Sequence, residues 1–168
     1  METGRSKLVI IRGNSGGGKT TVAKALQKRL GHGTMLISQD AVRREIVYVR
    51  DTPGNLAAGL LIHLVEFARK NCETAILEGI LSSDIYAGLF ETAVNLYKNS
   101  VYAYYYDLDF GETLKRHSQK PNKDDFGEPE MRRWWRERDM IPLLNETVFG
   151  AEISAADAVE RICGDIGK

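Results

Sequence analysis

Cysteine is scarce in this sequence: two among 168 residues, Cys72 and Cys163. They lie far apart, with neither metal-ligand spacing nor a CxxC pair, which argues against a disulfide framework, a zinc site or dithiol redox chemistry. Both thiols read as inert core residues suited to a reducing cytoplasm. An excess of one charge is also lacking. Lys plus Arg equals Asp plus Glu at 23 each, so no overall positive field draws the chain onto nucleic acid or an anionic membrane, and any anion site must be local. No stretch approaches the roughly 20 continuous apolar residues of a membrane-spanning helix. The opening METGRSKLVIIRG has only a short apolar run before a glycine-rich turn, so it reads as a first strand rather than an export signal. Repeats and low-complexity tracts are missing too. What remains is an ordinary folded composition, 43% hydrophobic and 27% charged, of a length that suits one domain over residues 1–168 with a core needing no disulfide or structural metal.

The hydrophobic pattern alternates between short apolar runs and helical periods. Lys7 to Arg12 reads as a buried strand and Thr20 to Leu30 as a helix stopped by Gly31 and Gly33. Thr34 to Ser38 is a second strand, followed by a helical segment from Ala41 to about Val47. The turn-rich DTPGN precedes an apolar helix, LAAGLLIHLVEFARK, and a third strand runs from Thr74 to Leu77, closed by Glu78 and Gly79. A helix near 84–97, the strand VYAYYYDL and a helix near 111–117 come next. SQKPNKDDFGEPE, the most polar stretch, reads as a mobile loop, after which EMRRWWRERDM resumes as a helix. A weak strand at Thr147 to Phe149 and a helix over 155–166, started by Ser154, complete the chain. Strands alternating with helices imply a parallel sheet covered on both faces, with ligands beyond the carboxyl ends of the strands. Gly13, Asp40, Glu78 and Asp107 all fall at such ends.

One motif stands out. Gly13, four spacers, then Gly18, Lys19 and Thr20 satisfy G-x-x-x-x-G-K-[ST] after a strand and at the start of a helix. Glycines let such a loop curl until its N–H groups point at phosphate oxygens, and the helix N-terminus adds a favourable dipole. The expected nucleotide contacts are therefore Gly13, Asn14, Ser15, Gly16, Gly17, Gly18, Lys19, Thr20 and Thr21. Lys19 would neutralise the β and γ phosphates, and the Thr20 hydroxyl would ligate Mg²⁺.

Transfer of a phosphoryl group needs a carboxylate to take the acceptor's proton, cations around the equatorial oxygens, and a cover against water. Asp40, in SQDAVRRE, is the candidate base because the second strand is expected beside the first; the same carboxylate is also a candidate N-cap and metal ligand. Arg43 and Arg44 follow within a turn, either as acceptor contacts or as surface arginines. Glu78 would meet the metal through water or contact the acceptor, while Asp107 and Asp109 read as helix caps rather than ligands. Helical spacing would gather Arg132, Arg133 and Arg136 on one face while Trp134 and Arg138 turn away. That face would close over the triphosphate as a lid, about 118–139, with Arg116 as a fourth cation, or else be a solvated face paired with Glu130 and Glu137. Trp134 and Trp135 read as lid packing rather than a stacking platform for single-stranded nucleic acid. His32, His63 and His117 show no ligand spacing.

GNSGGGKTT, SQDAVRRE, ILEG, DLDFGETLKRH and FGEPEMRRWWRERD together resemble the small P-loop kinases grouped with zeta toxins, chloramphenicol phosphotransferase and the 5′-kinase domain of polynucleotide kinase. The likeness spans nearly the whole chain. It implies an α/β, three-layer P-loop fold with a five-stranded parallel sheet of order 2-3-1-4-5, helices on both faces and a helical lid. It also implies ATP with Mg²⁺ as donor and Asp40 as base. By position, Arg43 would contact the acceptor, and Arg116 with the lid arginines the phosphates. The expected acceptor is a hydroxyl of a small molecule such as a nucleoside, sugar nucleotide or antibiotic. Alternatives are a polynucleotide 5′-hydroxyl and a nucleotide-dependent binder without chemistry.

Overall fold

The computed structural model describes residues 6–167. The residues before Ser6, read above as a lead-in to the first strand, lie outside the described residues, as does Lys168. Five apolar runs form strands: β1 (Lys7–Gly13), β2 (Thr34–Ser38), β3 (Thr74–Gly79), β4 (Val101–Tyr106) and β5 (Thr147–Phe149). All pair in parallel in the order β2-β3-β1-β4-β5. The helices are α1 (Lys19–Leu30), α2 (Gln39–Ala41), α3 (Leu56–Asn71), α4 (Ser83–Tyr97), α5 (Phe110–Ser118), α6 (Glu128–Trp134) and α7 (Ala155–Ile166).

A parallel sheet needs cover on both faces, so its central strands are apolar throughout. Alternate residues divide between two cores. Leu8 and Ile10 of β1 pack with Leu61, Val65 and Phe90 of α3 and α4, while Val9 and Ile11 pack with Val22, Leu26 and Ile162 of α1 and α7. The β4 tyrosines divide likewise: Tyr104 and Tyr106 pack around Phe149 on the α1–α7 side, whereas Tyr105 presents its ring to Arg12. Cys163 is buried in the core, and Cys72 is only half-buried at its edge.

Four expectations are corrected. β2 lies beside β3, not β1, so the end of β3 stands between Asp40 and the glycine loop. Glu78 and Gly79 continue β3 rather than close it, because they pair with Ile11 and Arg12 of β1. The helix after β2 starts at Gln39, capped by the Ser38 hydroxyl, which accepts from the Ala41 N–H at 3.5 Å; Asp40 is therefore not the cap. After Ala41 it widens into a π-helical turn, Val42–Ile46. Finally, the helix expected over 130–140 ends at Trp134, since Trp135 turns extended at φ −59°, ψ 130°.

Arg12 has no exposed surface, yet carries a charge at the penultimate position of β1. Its guanidinium donates to the Leu81 carbonyl, to the carbonyl and carboxylate of Asp139, and to Glu146 at 2.7 Å. The rings of Phe90 and Tyr105 cover it at 5.3 and 5.4 Å. Asp139 also accepts from the Ser83 amide and hydroxyl, and its own N–H donates to the Tyr105 hydroxyl. Buried charge is tolerated only when answered this fully.

Burial raises the phenols of five tyrosines: Tyr97 and Tyr106 to about 12, and Tyr86, Tyr104 and Tyr105 upward as well. Unfolded phenols ionise near pH ~10. The stability they contribute is whole below that pH and is lost as pH rises through the folded values, because only the unfolded chain then releases protons. Urea midpoints are expected to hold steady to about pH 9.5 and fall steeply beyond pH ~10. Tyr97→Phe should flatten that slope; an unchanged slope would show that this phenol ionises freely in the folded state.

Candidate active site

The glycine loop links β1 to α1 across the carboxyl edge of the sheet. Two glycines are fixed by packing as much as by curvature. A Cβ at Gly13, φ +140°, would stand 2.8 Å from the Tyr106 carbonyl oxygen, and one at Gly16, φ +84°, 2.5 Å from that of Thr113. β4 and α5 thus press on the loop from behind. In front, the Lys19 ammonium donates to the Asn14 carbonyl at 2.7 Å. Burial pushes its pKa down to about 8; Glu78 opposes the fall and Lys120 adds to it.

α1 begins differently from every other α-helix described. It has neither a side-chain cap nor an acidic residue in its first turn, whereas each of the others has at least one of these. Helix N-termini leave N–H groups without intrahelical partners, and the macrodipole makes that end partially positive. A buried lysine and an uncapped helix start converging on one cleft form a cradle for an oxyanion.

That cleft has a volume of about 880 Å³ and brings together Lys19, Thr20, Asp40, Glu78 and the lid segment. Thr20 Oγ donates to Glu78 Oε2 at 3.1 Å, while Glu78 Oε1 is buried without a partner. A hydroxyl and one carboxylate with an unused oxygen suit Mg²⁺, which takes one or two protein ligands and completes its shell with water and substrate phosphates. Among the described residues no cluster of three or more His, Cys, Asp or Glu groups has metal-binding geometry, so an all-protein metal cage is not built here. Asp40 uses Oδ1 for both Arg43 and Arg44, each at 2.8 Å.

The segment expected as a lid is held at both ends. His117, buried, takes up the Lys123 and Phe126 carbonyls through Nε2 and stacks on Phe126. Phe126 meets Trp134 edge-on, and Trp135 meets Phe110. The Asn14 amide of the glycine loop then clasps the lid's main chain, donating to the Arg136 carbonyl at 2.6 Å and accepting from the Arg136 N–H at 2.9 Å.

Because α6 stops at Trp134, the common face expected for Arg132, Arg133 and Arg136 does not exist. Arg133, Trp134, Trp135 and Arg136 line the cleft, but Arg132 pairs with Glu128 and lies over Phe110, 4.3 Å from its centroid. Arg116 sits behind the glycine loop, pairing with Glu112 and donating to the Gly17 and Ala151 carbonyls. Thr21 is exposed and does not line the cleft, whereas Ser15 and Gly16 do. Asp109 caps α5 and Asp107 pairs with Arg138, so both stay outside the site. The sequence reading missed Lys120, Arg50 and the trio of Gln39, Asp51 and Tyr86. Lys120 lines the cleft half-buried, with its pKa lowered by burial against the pull of Glu78 and Asp40. In the trio, Gln39 donates to the Tyr86 hydroxyl, which donates to Asp51 at 2.5 Å. Nothing in the polar loop, which also carries Lys123, singled out Lys120.

A parallel sheet of order 2-3-1-4-5 with G-x-x-x-x-G-K-T between its central strand and α1 defines the P-loop class of α/β folds. An AAA domain family model matches residues 8–134, and the chain belongs to that family. No curated protein matches it in sequence. Among solved structures it resembles a gluconokinase from Sinorhizobium meliloti 1021, at TM-score 0.64 and 14% identity over 98% of each chain. The Mycobacterium tuberculosis APS kinase CysC, solved with AMPPNP and APS, aligns at TM-score 0.61 and 16% identity over 99% of this chain and 100% of that one. The Deinococcus radiodurans tunicamycin resistance protein aligns at TM-score 0.61 and 19% identity over 97% and 96%. At these identities the likeness is one of fold.

The Asn14 clasp yields a direct test. Asn14→Ala removes two hydrogen bonds to the lid's main chain, each worth about 1 kcal/mol. Hydrogen exchange at the Arg136 amide should quicken by about ten-fold or more, while amides of β1 and β3 stay protected. Equal protection in the variant would mean that aromatic packing alone holds the lid.

Proposed function

We propose that the protein is a cytoplasmic ATP-dependent phosphotransferase, a single kinase domain over 1–168 with its lid at about 118–139, acting on a hydroxyl of a small molecule. The observation that carries this reading is the sharing of one cleft by a phosphate cradle and a carboxylate: Lys19 and the uncapped start of α1 on one side, Asp40 on the other. A nucleotide-binding protein without chemistry needs only the first.

In this reading residues 13–20 hold the triphosphate through main-chain N–H groups and Lys19. Thr20 and Glu78 would hold Mg²⁺, which when bound screens the phosphate charge. Asp40 Oδ2, which has no partner among the described residues, orients the acceptor hydroxyl and takes its proton. The acceptor oxygen forms a bond to the γ-phosphorus as the bond from that phosphorus to the β,γ-bridging oxygen breaks, leaving ADP and a phosphate ester. Arg133, Arg136 and Lys120, which line the same cleft, would meet the transferred group, the first two by leaving Glu130 and Asp84, and the docked lid would keep water out. Arg116, outside the cleft lining and bonded to the Gly17 and Ala151 carbonyls, would act on the nucleotide only by holding the glycine loop. The S-x-D-x-x-R spacing of Ser38, Asp40 and Arg43 supports a place near the zeta toxin, chloramphenicol phosphotransferase and polynucleotide 5′-kinase group.

Both tryptophans are already engaged by lid neighbours, Trp134 by Phe126 and Arg44 and Trp135 by Phe110. That supports a small acceptor over a polynucleotide, which needs open faces for stacking.

Asp40→Asn is the decisive variant. ATP affinity is expected to stay within about three-fold of the parent, because exposed ion pairs contribute little. Transfer should drop by about 10²–10⁴-fold, the usual contribution of a general base. Single-turnover assays with labelled ATP across a panel of hydroxyl compounds, read by mass for one added phosphoryl group, measure both. Undiminished turnover would take Asp40 out of the mechanism, and tight acceptor binding without any product would favour the binder.

A further inference from the structure

Cationic side chains outnumber carboxylates along the lining of the cleft. Seven cationic side chains line the cleft against three carboxylates, in a chain whose total charges cancel; Lys19 belongs to the glycine loop, and Glu130 and Asp84 from outside the lining answer Arg133 and Arg136. The three carboxylates are already committed. Glu78 takes the Thr20 hydroxyl, Asp51 takes Tyr86 and Gln39, and Asp40 holds Arg43 and Arg44 on one oxygen. The side chain of Arg50, next to Asp51 in the chain, has no hydrogen-bond or ion-pair partner among the described residues; only its carbonyl is engaged, accepting from the Thr52 N–H.

Arg44 is the best-prepared of these groups. One edge of its guanidinium, Nε, is fixed by Asp40 at 2.8 Å. One face lies against the lid rings of Phe126 and Trp134, 5.8 and 5.9 Å from their centroids. The two terminal nitrogens have no hydrogen-bond partner among the described residues, and the residue lines the cleft. A guanidinium held by an edge and a face has lost most of its rotamer freedom in advance, and its remaining fork matches two oxygens of a tetrahedral or planar anion. Arg44 and Arg50 both come from the segment that follows β2, away from the glycine loop that would hold the nucleotide.

Resting on the phosphotransferase reading of this cleft, we infer that the acceptor carries an anionic group, a phosphate, sulfate or carboxylate, held by Arg44 and Arg50 while its hydroxyl meets Asp40. The positive charge beyond the nucleotide site selects charged acceptors over neutral ones of the same shape. Arg44 links the anion to the lid as well, since its guanidinium bridges the Asp40 segment and the Phe126–Trp134 pair.

The chain's two tryptophans, Trp134 and Trp135, both line this cleft, so tryptophan fluorescence, excited apart from the seven tyrosines, reads the site. The protein is first saturated with AMPPNP and Mg²⁺ to fill the glycine loop, then titrated with sodium sulfate at ionic strength held constant with sodium chloride. A saturable change is expected, with the half-saturating sulfate concentration raised about ten-fold by Arg50→Gln or Arg44→Gln, the scale of one lost charge-assisted hydrogen bond. AMPPNP affinity should not move. A linear response, or variants that titrate like the parent, overturns the inference. In a second arm, labelled-ATP transfer is compared between gluconate and glucose and between nucleoside monophosphates and nucleosides, which also separates carboxylate from phosphate recognition. Arg50→Gln should raise KM for the charged member of a pair about ten-fold with kcat little changed; equal use of neutral members by the parent overturns the inference. The sulfate arm needs no chemistry, so a sulfate site without any transfer would sink the kinase reading alone.

Discussion

A guanidinium with no exposed surface, that of Arg12, fixes the geometry on which the rest of the site depends. It sits on the central strand one residue before the glycine loop, where neither side of the sheet reaches water. A charge in that position persists only if its partners are brought to it. Those partners, Leu81, Asp139 and Glu146, come from the turn after β3 and from the return of the lid toward β5. Answering one buried charge therefore draws the far end of the lid across the carboxyl ends of the strands. Asp139 in place puts Arg136 three residues upstream, within reach of Asn14, and Phe126 and Trp134 then close on Arg44. The cleft is shaped by that chain of contacts.

The same ordering explains the electrostatics. Lys19 and Lys120 are both depressed by burial, and both are pulled back by Glu78 and Asp40. The carboxylates are spread along one edge because β3, carrying Glu78, lies between β1 and β2. In the proposed reading a phosphate at the glycine loop and a hydroxyl at Asp40 would be served by separate strands, with the unpartnered Glu78 Oε1 on the strand between them. No acid stands at the start of α1 to compete with an incoming anion.

Much of this was legible in the amino-acid order. The central strands were recognisable because they are apolar on both faces, and the glycine loop because its spacing is tied to a strand before and a helix after. Asp109 and Ser154 announced helix starts by the chemistry of their side chains. What was not legible depends on contacts between distant segments. Arg12 reads as an ordinary strand-end arginine until Asp139 and Glu146 arrive. Helical periodicity runs on through Trp135 and Arg136, but the Asn14 clasp and the Arg12 network hold the chain after Trp134 away from the helical path. Local propensity puts a cap at Asp40 or Ser38 equally well, and the strand's end at Ser38 decides it. Lys120 carries no motif because its role comes only from the burial that the lid creates.

The Asn14 side chain touches residue 136 through that residue's peptide N–H and C=O alone. The latch is therefore indifferent to which side chain stands there, provided it is not proline, which has no N–H to offer. Lineages descended from this scaffold are free to exchange residues at position 136, and so to retune the chemistry facing the cleft, without unfastening the flap that carries it.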